Sequence, residues 1–79
     1  MEQHLSQYKI FYEVARCGNI SRAAKELYIS QPAISKAISK LEESLGIKLF
    51  SRNSRGVQLT REGAILFQHV NTAFDSIGR

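Results

Sequence analysis

The sequence predicts a mainly α-helical domain that carries one small β-hairpin. Four segments place apolar residues at steps of three and four, which is the period of a helix with one buried face. Between the third and fourth segments lie two short runs of branched and aromatic residues, 47–50 and 57–59, joined by a polar loop. This pattern is typical of two antiparallel strands and their connection. With 79 residues, the chain is long enough for one small core.

The first two predicted helices are separated by a turn at Gly18-Asn19. Before this turn, a stripe of apolar and aromatic residues marks the buried face of the first helix: Leu5, Tyr8, Phe11, Tyr12, Val14 and Ala15. The second helix is short, is predicted to have Ser21 as its N-cap, and ends near Tyr28. Only a few residues separate it from the third helix, so the two must meet through a tight turn, as in a helix-turn-helix unit.

The third helix has signals at both ends. Ser30 is placed to cap it, Pro32 lies in the first turn where its missing N–H does no harm, and Gly46 ends it. Its buried stripe is aliphatic: Ile34, Ile38, Leu41 and Leu45. The opposite face has several donors and few bulky groups: Pro32, Ser35, Lys36, Ser39 and Lys40. This face either enters a DNA groove or is simply solvated, and charge placement alone does not decide between the two.

The loop of the predicted hairpin, residues 51–56, is polar and basic. Arg52 and Arg55 lie in it, where they either contact phosphates or the minor groove or are ordinary exposed charges. The hairpin is therefore a candidate wing beside the helix-turn-helix unit.

The last predicted helix begins after Thr60, which is placed to cap it, and Gly63 would permit close packing near its start. Its apolar residues follow the spacing of a helix–helix seam: Phe67, Val70, Phe74 and Ile77. Because little of the domain remains to cover this stripe, we expect a partner helix from a second copy of the chain.

Composition and charge argue against several classes of protein. Eleven lysines and arginines against seven acidic residues give a formal charge of +4, which favours polyanionic partners. A single cysteine, Cys17, excludes an internal disulfide, and His4 and His69 are far apart, so no metal site is predicted. The sequence has no signal peptide and no apolar run of membrane-spanning length, so we expect a cytoplasmic protein. Glu42 and Glu43 are expected to face solvent, and neither an enzyme nor a cofactor is predicted.

An ordered series of short motifs resembles the N-terminal domain of LysR-type bacterial transcriptional regulators. The series runs through nearly the whole chain: Arg22-Ala23-Ala24, Leu27, Ser30-Gln31-Pro32-Ala33, Ser35, Ile38, Leu41-Glu42, Leu45-Gly46, Leu49-Phe50, Arg52, Arg55, Leu59-Thr60 and Gly63. No single element is diagnostic, but the whole series at these distances is highly specific. The resemblance implies a winged helix-turn-helix over residues 1–60 and a long linker helix for dimerisation over residues 61–79.

The resemblance also implies sites and partners. Together with the outward face of the third helix, it points to these candidate DNA contacts: Ser21, Ser30, Gln31, Pro32, Ala33, Ser35, Lys36, Ser39, Lys40, Arg52, Asn53 and Arg55. Such regulators form dimers or tetramers on interrupted palindromic operators of double-stranded DNA. Their small-molecule effector binds a C-terminal domain, which is expected to lie outside this chain. No cofactor and no membrane partner are implied.

Two positions depart from the family pattern. Many relatives carry arginine where this chain has Lys36, and an ammonium group lacks the planar fork that binds guanine at two atoms. Ala37 stands where a longer polar residue such as glutamine often occurs, which removes one contact. We therefore expect specificity to depend more on DNA shape.

Two alternatives remain open from the sequence. A winged helix also serves as a protein–protein module, although the basic, short-side-chain face of the third helix argues against this use. Another bacterial regulator with a LysR-like N-terminal domain, such as the molybdate-responsive type, would differ only in its downstream sensor.

Overall fold

The computed structural model describes the backbone of residues 2–54 and 56–77 and the side chains of residues 6–54 and 56–75. Within these residues, four helices and one two-stranded antiparallel sheet follow each other along the chain: α1 (Glu2–Cys17), α2 (Ile20–Leu27), α3 (Gln31–Leu45), β1 (Phe50–Asn53), β2 (Gly56–Leu59) and α4 (Arg61–Ile77). The predicted fold class, mainly α with a small hairpin, is confirmed. None of the described helices is long and apolar enough to cross a bilayer.

The short helix α2 is capped by Asn19, and the predicted cap at Ser21 is wrong. The Asn19 side-chain oxygen accepts a hydrogen bond from the Arg22 backbone N–H at 3.0 Å. Ser21 lies inside the first turn of α2, so its hydroxyl cannot fill this role. The helix starts earlier than predicted because asparagine caps a helix as well as serine does.

The turn between α2 and α3 and both ends of α3 follow the prediction. Tyr28 adopts a left-handed conformation with a φ of 58°, which ends α2. The Ser30 hydroxyl accepts a hydrogen bond from the Ala33 backbone N–H at 3.2 Å and so caps α3. Gly46 ends α3 with a φ of 72° and donates its N–H to the Glu42 carbonyl at 2.8 Å. Local signals therefore set the helix-turn-helix unit.

One core lies between α1, the helix-turn-helix unit and the hairpin. Its buried members come mostly from the predicted stripes: Phe11, Val14, Ala23, Ala24, Ile34, Ile38, Leu41, Leu49, Phe50 and Val70. Each large side chain contributes roughly 1.5–3 kcal/mol on full burial. The rings of Phe11 and Phe50, with centroids 5.4 Å apart, join α1 to the hairpin. Leu45, the last member of the predicted α3 stripe, is exposed.

The first strand lies later in the chain than the sequence predicts. β1 begins at Phe50, and residues 47–49 of the predicted strand instead connect α3 to it. Tertiary contacts cause this difference, because Leu49 is buried in the core and its N–H donates to the Glu42 side chain. The pairing of β1 with β2 is regular: Phe50 opposite Leu59, Ser51 opposite Gln58, Arg52 opposite Val57 and Asn53 opposite Gly56. Arg52 therefore lies in a strand and not in the predicted loop.

Thr60 and Gly63 join the start of α4 to the segment before the hairpin. The Thr60 hydroxyl accepts a hydrogen bond from the Gly63 backbone N–H at 3.0 Å and donates one to the Lys48 carbonyl at 2.6 Å. Thr60 therefore caps α4, as predicted. A Cβ atom on Gly63 would collide with the Leu49 carbonyl oxygen, so glycine allows the close packing that the sequence predicts.

The apolar stripe of α4 is covered by α1 of the same domain. The Tyr12 ring stacks on Phe67 at a centroid distance of 5.5 Å and meets Phe74 edge-on at 5.2 Å, while Val70 is only 8% exposed. The expectation that the domain leaves this stripe uncovered is wrong for these three residues, because α1 runs alongside α4. The side chain of Ile77 lies outside the described residues. Dimerisation through α4 stays a prediction.

Candidate nucleic-acid interface

The outer face of α3 consists of the seven predicted DNA contacts on that helix. They lie along most of its length: Gln31, Pro32, Ala33, Ser35, Lys36, Ser39 and Lys40. All are exposed except Ser35, which is half-buried. The stripe on the other side of α3 is buried in the core, so the helix presents these side chains on a rigid support.

A groove of about 450 Å³ separates α3 from the hairpin. Ser35 and Ser39 line it on the α3 side, and Arg52 and Lys48 line it on the other. The Arg52 guanidinium donates a hydrogen bond to the Ser35 hydroxyl at 3.4 Å. A bond of this length at the protein surface is weak, so a phosphate oxygen can replace the hydroxyl as its acceptor.

A second groove, also of about 450 Å³, lies between α3 and the N-terminal half of α1. Lys36 and Lys40 line it on the α3 side, and Ser6 and Gln7 line it on the α1 side. The sequence does not predict these two α1 residues as part of the surface, because nothing local to α1 shows that it packs beside the outer face. A duplex lying on the outer face would have polar groups of α1 on one side and the hairpin on the other.

The lysines of the outer face are available to bind anions. Among the described residues, one ion pair lies within α1 and another joins Lys48 to Glu42. Lys36 and Lys40 take part in neither, so their ammonium groups can meet phosphates directly.

The remaining predicted contacts lie around this surface. Ser21 is exposed in the first turn of α2, and Asn53 is exposed at the end of β1. Ser30 is also exposed; its oxygen accepts the capping hydrogen bond, while its O–H can still donate to a phosphate. Arg55 lies outside the described residues.

The sequence predicts that Glu42 faces solvent, and this prediction is wrong. Its side chain is 12% exposed, and its carboxylate accepts hydrogen bonds from the backbone N–H groups of Leu49 at 2.7 Å and Phe50 at 3.3 Å. Glu43 is exposed, as predicted. Helical position could have distinguished them, because Glu42 lies four residues after the buried Ile38 and therefore on the same face of α3.

The chemistry of this surface is that of hydrogen-bond donors and positive charge. In the part of the chain that the structure describes, no three His, Cys, Asp or Glu side chains group in a way that could hold a metal ion. Amide, hydroxyl, ammonium and guanidinium groups are the groups that bind phosphates and base edges in protein–DNA complexes.

The chain is similar to part of several known transcriptional regulators. Residues 5–64 match the family described as bacterial regulatory helix-turn-helix protein, lysR family. A similar curated protein is the uncharacterized HTH-type transcriptional regulator y4mQ of Sinorhizobium fredii, which is 44% identical over 75 residues. The aligned part covers 95% of this chain and 25% of that protein, so the chain spans about a quarter of its relative's length.

Two similar solved structures are complexes with DNA. The CbnR DBD–DNA complex aligns with a TM-score of 0.85 and 38% identity over 100% of this chain and 88% of that chain. The BenM DBD/benA site 1 DNA complex aligns with a TM-score of 0.87 and 35% identity over 94% of this chain and 83% of that chain. The winged helix-turn-helix fold, the order of the motifs and the matched residues agree, and the chain belongs to the lysR family of bacterial regulatory helix-turn-helix proteins.

Proposed function

We propose that this chain is the operator-binding domain of a LysR-type transcriptional regulator and binds double-stranded DNA in a sequence-specific manner. The observation that carries the proposal is the exposed outer face of α3 with Arg52 of the hairpin beside it. A rigid helix with small side chains and donors on one face is what the major groove accepts. The formal charge of +4 favours the same polyanionic partner.

In this proposal the N-terminal half of α3 contacts the bases. Gln31 pairs at two atoms with an adenine edge, and Pro32 and Ala33 contact thymine methyl groups. Lys36 donates to guanine or to a phosphate. Its ammonium group is less selective than the guanidinium group of arginine, because it lacks the planar fork that binds guanine at two atoms. The exposure of all four side chains supports these roles.

The hairpin binds the adjacent backbone or minor groove. Arg52 lies in β1 within hydrogen-bond distance of Ser35, so the contact of the wing with DNA begins directly beside α3. Asn53 follows at the exposed end of the same strand, and Arg55 is proposed to extend the contact. Ser21 is proposed to bind a phosphate at the start of α2.

We also propose a homodimer that places two copies of α3 in successive major grooves of an interrupted palindrome. Residues 61–79 act as the linker helix in this arrangement. Since Phe67 and Phe74 of this stripe pack on Tyr12 of α1 and Val70 is buried, we assign the dimer contact to the opposite side of α4, where Ile65 is 54% exposed. This assignment differs from the sequence prediction, which places the seam on the stripe of Phe67, Val70, Phe74 and Ile77.

The role of the whole regulator is proposed from the family. We infer a cytoplasmic protein in which a small-molecule effector binds outside this domain and in which the complete chain forms dimers or higher oligomers. We assign this domain a binding function and no catalytic one, which the regulator family of its relatives supports.

The proposal is tested by binding to a selected operator. Repeated selection from a random duplex pool supplies the preferred sequence, and fluorescence anisotropy then compares it with a scrambled duplex between about 50 and 200 mM salt. We expect the operator to bind more tightly by a factor of about 10³ or more, with a steep salt dependence for both duplexes. A pool that yields no preferred sequence would contradict specific recognition, and failure to bind any duplex would favour a protein–protein module.

A further inference from the structure

The segment that joins α3 to the hairpin is held from two sides. On one side, the Glu42 carboxylate accepts the N–H groups of Leu49 at 2.7 Å and Phe50 at 3.3 Å. On the other, Thr60 donates its hydroxyl to the Lys48 carbonyl at 2.6 Å and its backbone N–H to the Leu49 carbonyl at 3.0 Å. Both backbone polar groups of the buried Leu49 are therefore bonded to residues distant in sequence.

These bonds determine where the hairpin starts. Leu49 and Phe50 are buried, so loss of the carboxylate would remove the acceptor of two partly buried amides, which costs free energy. β1 begins at Phe50, and Arg52 follows in the same strand. Because Glu42 binds the start of this strand to α3, it also sets the position of Arg52 relative to α3.

The two contacts between α3 and β1 lie on one side of the helix. Ser35 and Glu42 are about two helical turns apart, and both line the groove between α3 and the hairpin. Glu42 binds the start of β1, and Ser35 accepts a hydrogen bond from Arg52 further along the strand. The hairpin is thus attached to the helix at two points.

We propose that Glu42 and Thr60 are positioning residues for DNA binding. They hold residues 48–50 so that Arg52 meets the DNA backbone in a fixed register with the outer face of α3. The inference rests on the proposed function of this chain. The ion pair between Lys48 and Glu42 has a minor part in it, because the two groups are 3.8 Å apart and the lysine is exposed.

A positioning role and a purely structural role predict different behaviour of Arg52. If Glu42 only stabilised the fold, Arg52 would contribute the same factor to DNA affinity with or without it. If Glu42 positions the wing, the contribution of Arg52 disappears once the carboxylate is removed. A double-mutant cycle separates the two cases.

The experiment measures binding of Glu42→Ala, Arg52→Ala and the double variant to the selected operator duplex by fluorescence anisotropy. Circular dichroism at the binding temperature checks that each variant is folded. We expect each single variant to bind about tenfold more weakly and the double variant to bind within about twofold of Glu42→Ala. We also expect both single variants to lose about one unit of salt slope.

Two variants serve as controls for charge and for the hydrogen bonds. Glu43→Ala removes the same charge from the exposed neighbouring position and should bind at least as tightly as the wild type. Glu42→Gln keeps a carbonyl oxygen as acceptor and should retain affinity within about threefold of the wild type. If Glu42→Ala does not fold, the same cycle is run with Thr60→Val, and Thr60→Ser, which keeps the hydroxyl, is its control.

The outcomes separate this inference from the function on which it rests. Loss of the Arg52 contribution in the Glu42→Ala background supports the positioning role. If the losses in the cycle are additive and the wild-type chain binds its operator, the positioning role is overturned, whereas the proposed function is not. A wild-type chain that binds no duplex overturns the proposed function and this inference with it.

Discussion

Gly63 lies against the backbone of the segment that precedes the hairpin. A Cβ atom at this position would collide with the Leu49 carbonyl oxygen and would approach the Leu59 Cδ2 atom to 3.1 Å. The carbonyl cannot easily move away, because it accepts the Thr60 N–H at 3.0 Å. The start of α4 therefore depends on a residue without a side chain.

Gly63→Ala should destabilise the domain although alanine is the better helix former. We expect the free energy of unfolding to fall by about 1–3 kcal/mol, because the overpacking cost exceeds the gain of about 1 kcal/mol in helix propensity. Thermal unfolding followed by circular dichroism measures the change. Ala64→Gly, at the exposed next position, is the control for propensity alone. An unchanged or higher midpoint for Gly63→Ala would show that the backbone adjusts freely.

Tyr28 combines a left-handed backbone with a side chain that is 94% exposed. Asparagine adopts this conformation more readily than tyrosine, and little buried area is lost with the ring. We therefore expect Tyr28→Asn to raise the free energy of unfolding by up to about 1 kcal/mol, measured by urea denaturation. A lower denaturation midpoint would mean that the ring makes contacts that outweigh the strain.

For the helices and strands, the sequence predicts those features that local chemistry controls. Ser30 and Gly46 were identifiable as the ends of α3 because each satisfies backbone groups of its own helix. The sequence predicts the start of β1 too early because Glu42 of α3 binds Leu49, which lies outside that helix in the connection to β1. No periodicity reports such a contact, so the strand boundary required the structure.

The candidate interface also combines features of one element with features that depend on tertiary packing. The outer face of α3 was identified from its spacing and side chains, since one helix carries all of it. The placement of Ser6 and Gln7 beside Lys36 depends on how α1 packs, which no single segment shows. Likewise, the cover that Tyr12 of α1 provides for the α4 stripe follows from tertiary packing alone.

Arg52→Ala tests the role of the hairpin as an element that binds the backbone. We expect affinity for the operator and for a scrambled duplex to fall by a similar factor, about tenfold, and the salt slope to fall by about one unit. Fluorescence anisotropy across salt concentrations gives both quantities. A loss confined to the operator would instead show that Arg52 recognises bases.

The domain presents two surfaces with different proposed functions. The outer face of α3 and the hairpin are basic and polar, as DNA binding requires. The side of α4 that faces away from α1 carries the exposed Ile65 and is the proposed dimer contact. Two linked copies would bind a palindrome more tightly than one, because the second half-site is met at a high effective concentration.

Ile65→Glu should therefore convert the proposed dimer to a monomer and weaken binding to the operator. The side chain is 54% exposed, so we expect the fold to be retained. Light scattering measures the mass, and anisotropy measures the affinity for a full palindrome against a single half-site. Ser44→Glu introduces the same charge at an exposed position outside α4, near the end of α3, and should leave the mass unchanged. A variant that keeps the dimer mass would contradict the proposed seam.

Gln31→Ala tests whether α3 recognises base sequence. The measurement is the dissociation constant of the wild type and of Gln31→Ala for the selected operator and for a scrambled duplex at one salt concentration. We predict that affinity for the operator falls by about tenfold or more, the value of one bidentate base contact, while affinity for the scrambled duplex is nearly unchanged. An equal loss on both duplexes, or no loss on either, would contradict recognition of a base by this residue.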